Sequence, residues 1–124
     1  MNLSHLPGTF AVCRLAPDAE VPAWAWRDRS LLSITFTQDE LSIVCPATSV
    51  PAGVRSEQRW SAIKVEGPLD FSLIGILSAL AAPLAAAGIS LFAISTFDTD
   101  YLLVKEPQLA RARQVLQEAG HTFR

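Results

Sequence analysis

The stretch Ser95-Thr96-Phe97-Asp98-Thr99-Asp100 sets hydroxyls and carboxylates between two apolar runs. Asp98 and Asp100 have the D-x-D spacing with which some transferases hold a divalent cation against a phosphate. Residues two apart on a strand face the same way, so both carboxylates would converge. Magnesium sites normally accompany phosphate-binding apparatus. "EGPLDFSLIG" (66–75) lacks the Gly-Lys-Ser/Thr ending of a phosphate loop. His5 and His121 lie in polar segments near the chain ends, with no local nucleophile and carboxylate to complete a hydrolytic triad. Cys13 and Cys45 sit in the apolar stretches "TFAVCRL" and "LSIVCP" and lack a local setting that activates a thiolate. No catalytic residue, no metal and no cofactor is expected, and an enzyme using the Asp98/Asp100 pair is the weakest reading. Asp98 and Thr99 read as turn chemistry, because their short side chains bond nearby backbone amides. Ser95, Thr96 and Asp100 carry polarity on into the strands, where polar groups need partners. Asp100 is the carboxylate suited to hold an ammonium or a guanidinium.

These residues need a scaffold. The chain has 124 residues, half of them hydrophobic, which is enough for one compact domain or two very small ones. A net charge of −2 with scattered Lys and Arg argues against nucleic-acid binding. Two cysteines are too few for the disulfide framework of a small secreted chain. They are expected as buried free thiols in a reducing cytosol. The N-terminus has no basic head followed by an apolar stretch, so a cytoplasmic protein is expected. Residues 71–97 carry no charge, yet Gly75, Pro83, Gly88 and several serines interrupt them, which rejects a membrane span.

The first half reads as short strands at 8–15, 30–38 and 40–46, the last two joined at a hairpin around Gln38–Asp39. Pro22 opens a short helix carrying Trp24 and Trp26, both assigned to the core. Residues 46–58 read as a loop with one helical turn, and mark the boundary between modules at 1–58 and 59–124. In the second half, 59–67 is a strand. Asp70 caps a helix from Phe71 to Ala87, and Gly88 ends it. Residues 89–96 are apolar on both faces, which predicts a central strand. Residues 100–106 form the next strand. A helix opens at Pro107 and ends at Gly120, and a short strand near His121–Arg124 closes the chain. This order is the split βαβ plan of ferredoxin-like α+β folds, and the first half repeats it in eroded form with a reduced helix.

The helix 71–87 has a broad apolar stripe of Leu73, Ile74, Leu77, Leu80, Ala81 and Leu84, suited to covering a sheet. Ser72, Gly75, Ala79, Ala82 and Ala86 make a second stripe of small residues only. A helix without charge on any side is usually covered on both, so a homodimer through this small-residue face is expected. Pro83 removes an interior hydrogen bond.

In a βαβ unit, "EGPLDF" and "STFDTD" meet at the same end of the sheet. Helix N-terminal amides there suit a carboxylate. Asp100 suits a cation, so a small zwitterion satisfies both. At these segments, within residues 60–106 and the following "LARARQVLQEAGH", the sequence resembles the ACT-domain proteins, in the small ACT-like group that includes the CASTOR arginine sensors. The resemblance implies tandem βαββαβ (ACT) modules, the first degenerate, that bind amino acids between modules without catalysis. It places Gly67, Pro68, Leu69 and Phe71 at the ligand-facing loop and helix start, with Thr96, Phe97 and Asp100 opposite. In the arginine sensors the aspartate at the last position holds the cationic part of the ligand. The expected function is amino-acid binding or sensing in regulation, against a bare association module with an empty site.

Overall fold

The computed structural model describes residues 1–67 and 75–124. The expected ligand-loop residues Pro68, Leu69 and Phe71, the Asp70 cap and the first turn of the helix 71–87 lie outside the described residues. The chain divides into two compact units, Gly8–Trp60 and Met1–Pro7 with Ser61–Arg124.

In Gly8–Trp60, alternating apolar residues build an antiparallel sheet. Its strands are β2 (Phe10–Leu15), β3 (Ser33–Phe36), β4 (Leu41–Pro46) and the first half of β5 (Ser56–Val65), in the order β3-β4-β2-β5. The register of β2 on β4 runs from Phe10↔Pro46 to Leu15↔Leu41. Period two therefore puts Ala11, Cys13, Leu41, Ile43 and Cys45 on one side, where they bury together with Ala25. The hairpin expected around Gln38–Asp39 is present. Thr37 Oγ1 accepts the amides of Asp39 and Glu40 at 3.2 and 3.1 Å. The short helix expected after Pro22 is a single 3-10 turn, Ala23–Trp26. Trp24 packs on the core. Trp26 does not: it is 46 % exposed, with the Arg29 guanidinium 5.5 Å from its ring. Four residues of 3-10 helix cannot turn both side chains inward.

The second unit follows the order β5, α1 (Ile76–Ala86), β6 (Leu91–Ser95), β7 (Asp100–Lys105), α2 (Leu109–Glu118), β8 (Thr122–Phe123), which is the ferredoxin-like βαββαβ plan of an α+β protein. β1 (Asn2–His5) is added to it, antiparallel to β5 and parallel to β8. The sheet order is β6-β7-β5-β1-β8. β1 was not legible beforehand, because Leu3 is its sole apolar residue. The core joins Leu3, Ile63, Val65, Leu102 and Val104 of the sheet to Leu80 and Leu84 of α1 and Ala112 and Leu116 of α2. Each helix thus buries one i, i+4 pair on the sheet.

Both helices end as their glycines require. Gly88 and Gly120 have φ of 74° and 100°, a region where any Cβ is strained. Past each, a pair of amides turns back onto the helix: Gly88 to Ala85 and Ile89 to Leu84, then Gly120 to Gln117 and His121 to Leu116. That is the Schellman arrangement. Arg111 donates from Nη2 to the Ala87 carbonyl at 3.2 Å, adding a cation at the negative end of α1.

Two expectations for this unit are corrected. The segment 89–96 is not central. Among the described residues β6 pairs with β7 alone, so it is an edge, and β7 is the inner strand with Leu102, Leu103 and Val104 fully buried. An uncharged strand need not be covered on both sides. Leu77, assigned to the sheet-covering stripe, is 36 % exposed. The small residues Gly75, Ala79, Ala82 and Ala86 are exposed as well. Pro83 has no N–H for the Ala79 carbonyl one turn earlier. His121 Nε2, 3.3 Å from that oxygen, takes its place as donor.

Candidate functional site

The site region is built by the β6–β7 hairpin, whose register runs from Leu91↔Val104 to Ser95↔Asp100. Thr96 and Thr99 close the turn. The Thr96 amide donates to the Thr99 carbonyl at 2.8 Å, and Thr96 Oγ1 donates to the same carbonyl at 3.1 Å while accepting the Thr99 amide at 3.3 Å. Phe97 and Asp98 form the tip, with Phe97 80 % exposed. Asp98 is exposed turn chemistry, as its type predicts.

Thr99 is almost fully buried, and its Oγ1 donates to the Val65 carbonyl at 2.5 Å. The turn is therefore anchored to the last residue of β5, two residues before Gly67. This brings Thr96, Phe97 and Asp100 to the sheet end where the chain leaves β5. Pro68, Leu69 and Phe71 lie outside the described residues. Thr99 was read only as a turn residue. No local signal could have found its second role, because its partner lies 34 residues away.

Asp100 is half-buried and opposite Ser95, whose Oγ donates to Oδ1 at 2.6 Å. Leu102 and Val104, two and four residues further on, point into the helix-covered core. By period two Asp100 is the polar end of that same row. Its carboxylate faces the helix side of the sheet, with one oxygen fixed by Ser95 and lone pairs left for a cationic or hydrogen-bonding group. Glu66, beside Gly67, accepts a 2.5 Å hydrogen bond from Ser4 Oγ. That bond, with smaller contributions from Lys64 and Arg124 against burial, holds its carboxyl below the usual glutamate range.

Other reactive side chains are occupied structurally. Cys13 and Cys45 are buried free thiols on adjacent strands. A hydrogen bond with Cys13, reinforced by burial, pushes the Cys45 thiol upward and keeps it protonated. His121 holds the α1 backbone. Among the described residues no group of three His, Cys, Asp or Glu is placed to hold a metal, and no helix is long and apolar enough to cross a membrane.

An ACT-domain family model matches residues 55–118, and a second model, of an N-terminal domain, matches residues 8–53. The cytosolic arginine sensor for mTORC1 subunit 1 is 43 % identical over 63 residues in both Homo sapiens and Bos taurus, covering 50 % of this chain. The match spans 19 % of the length of those sensors. The crystal structure of a protein from Agobacterium tumefaciens is 40 % identical, with a TM-score of 0.93, and the match covers 99 % of this chain and 91 % of that one. The regulatory subunit of aspartate kinase from Thermus thermophilus, at 10 % identity and a TM-score of 0.63 over 91 % of this chain and 93 % of its own, shares the fold. With its βαββαβ order and these matches, the chain belongs to the ACT-domain family, in the group related to the arginine sensors.

Proposed function

We propose that the chain is a regulatory, non-enzymatic, cytoplasmic protein that binds a small amino acid at the hairpin end of its second unit. The carrying observation is the half-buried Asp100 carboxylate, oriented by Ser95 and directed to the helix side of the sheet. Asp100 would hold the ligand's cationic part, with Thr96 and Phe97 beside it. Gly67, Pro68, Leu69 and Phe71 would supply the facing loop, with amides for the ligand carboxylate. The name of the arginine sensors makes arginine the first ligand to try. A homodimer is part of the same reading.

The test is a thermal-shift screen of the amino acids, since a ligand that binds only the folded state raises its melting point. At a hundredfold excess over Kd the gain is about 2.7 kcal/mol. The expected result is a shift with one amino acid that is lost in Asp100→Asn and kept in Asp98→Asn. No shift with any amino acid supports the second reading, an association module with an empty site. The uncharged, exposed face of α1 is what favours that alternative.

A further inference from the structure

Glu66 sits where the chain leaves β5, one residue before Gly67 and the loop proposed to face the ligand. This point is held from two directions. The Val65 carbonyl accepts a hydrogen bond from Thr99 Oγ1 of the β6–β7 hairpin. The Glu66 amide, in the same peptide unit, donates to the Asn2 carbonyl of β1 at 2.8 Å. A planar peptide bonded at both of its polar ends cannot rotate without losing a bond. The Glu66 side chain adds a third tie, since its Oε1 accepts a hydrogen bond from Ser4 Oγ at 2.5 Å.

The pleat decides which side of the sheet this third tie occupies. Ile63 and Val65 of β5 and Leu3 of β1 pack in the core with the two helices. Successive side chains alternate, so Glu66 and Ser4 project from the other side. Asp100 ends the row of Leu102 and Val104 on the helix side. Glu66 therefore does not share the face on which Asp100 would meet a ligand, and its bond to Ser4 acts on the main chain. β1, which supplies Ser4 and the Asn2 carbonyl, is an addition to the βαββαβ plan, whose elements run from β5 to β8.

We propose that Ser4 is a positioning residue of the amino-acid site: through Glu66 it fixes the direction in which the main chain enters Gly67. This rests on the ligand reading above and adds to it the strand that presets the loop. The contribution is preorganisation. A ligand that meets a loop start already in place spends none of its interaction energy on ordering it. With the Ser4 hydroxyl removed, the Glu66 side chain is released and the exit from β5 has more conformations to lose on binding. Lys64 and Arg124 add a weaker attraction for the Glu66 carboxylate, which an alanine at position 4 leaves in place.

The test is isothermal titration calorimetry of the full chain at neutral pH, with L-arginine as the first probe and the other amino acids after it. The wild type is expected to bind one of them. Ser4→Ala and Glu66→Ala should each bind it about tenfold more weakly, with unchanged circular dichroism spectra. Ser4→Thr returns the hydroxyl and should restore the affinity. Glu66→Gln keeps an oxygen that accepts from Ser4 and should bind as the wild type does. The double variant Ser4→Ala/Glu66→Ala should bind no more weakly than either single one, because the two side chains act as a unit. Equal affinity in the wild type and Ser4→Ala overturns the proposal and leaves the ligand reading standing. So does a loss in Glu66→Gln that Ser4→Ala does not share, which would make the Glu66 charge a ligand contact. Additive losses in the double variant overturn it as well. A wild type that binds no amino acid overturns the proposal and the ligand reading together.

Discussion

At the scale of single residues, the region around Asp100 is organised by side-chain hydroxyls. Ser95 orients the carboxylate and Thr99 ties the hairpin to Val65. Ser4 does the same for Glu66 beside Gly67. This last bond has a consequence for pH. Glu66 ionises below its ordinary value of 4.5 in the folded chain. A lowered carboxyl stabilises the fold fully above the unfolded value, and that stabilisation is lost as pH falls through the folded one. Ser4→Ala should therefore lower the melting temperature at neutral pH, and the difference from wild type should vanish on acidification below the folded value. A melting series over pH checks this, and a difference that persists in acid would assign the effect to packing. The positions of Asp98 in the turn and Asp100 on the strand were separable from sequence, because their neighbours differ. Thr99 and Ser4 were not, since their partners are 34 and 62 residues away and only register brings them together.

At the scale of elements, helix ends were legible and strand positions were not. Gly88 and Gly120 announce local geometry, and the helices stop where they dictate, while Pro107 sits in a 3-10 turn, Glu106–Gln108, that leads into α2. Whether 89–96 lies inside a sheet or at its edge depends on what pairs with it, which eight uncharged residues do not record. The α1 interior illustrates a local rule with a distant answer. Pro83 leaves the Ala79 carbonyl without its helical donor, and His121 supplies one. His121→Ala should cost about 1 kcal/mol, the net worth of a typical intramolecular hydrogen bond. In a Pro83→Ala background, where the backbone donor returns, the same change should cost much less. A double-mutant cycle by chemical denaturation measures this coupling, and additive costs would show that His121 acts elsewhere.

At the scale of the whole molecule, both thiols lie in Gly8–Trp60 and none in the other unit, so they report on one unit alone. Neither should react with a thiol reagent in the native protein, and both should react after unfolding. Labelling that begins at lower denaturant than the loss of the α2 circular dichroism signal would show that the units open separately. The placement of β1 has a further consequence, for the order of events on the ribosome. Gly8–Trp60 is contiguous and can close while the rest of the chain is still being made. β1 is synthesised before that unit but must wait for β5, where Leu3 pairs with Val65, and then for β8. Leu3, fully buried when folding is complete, emerges before the other residues of its core cluster and is among the last of them to find its place.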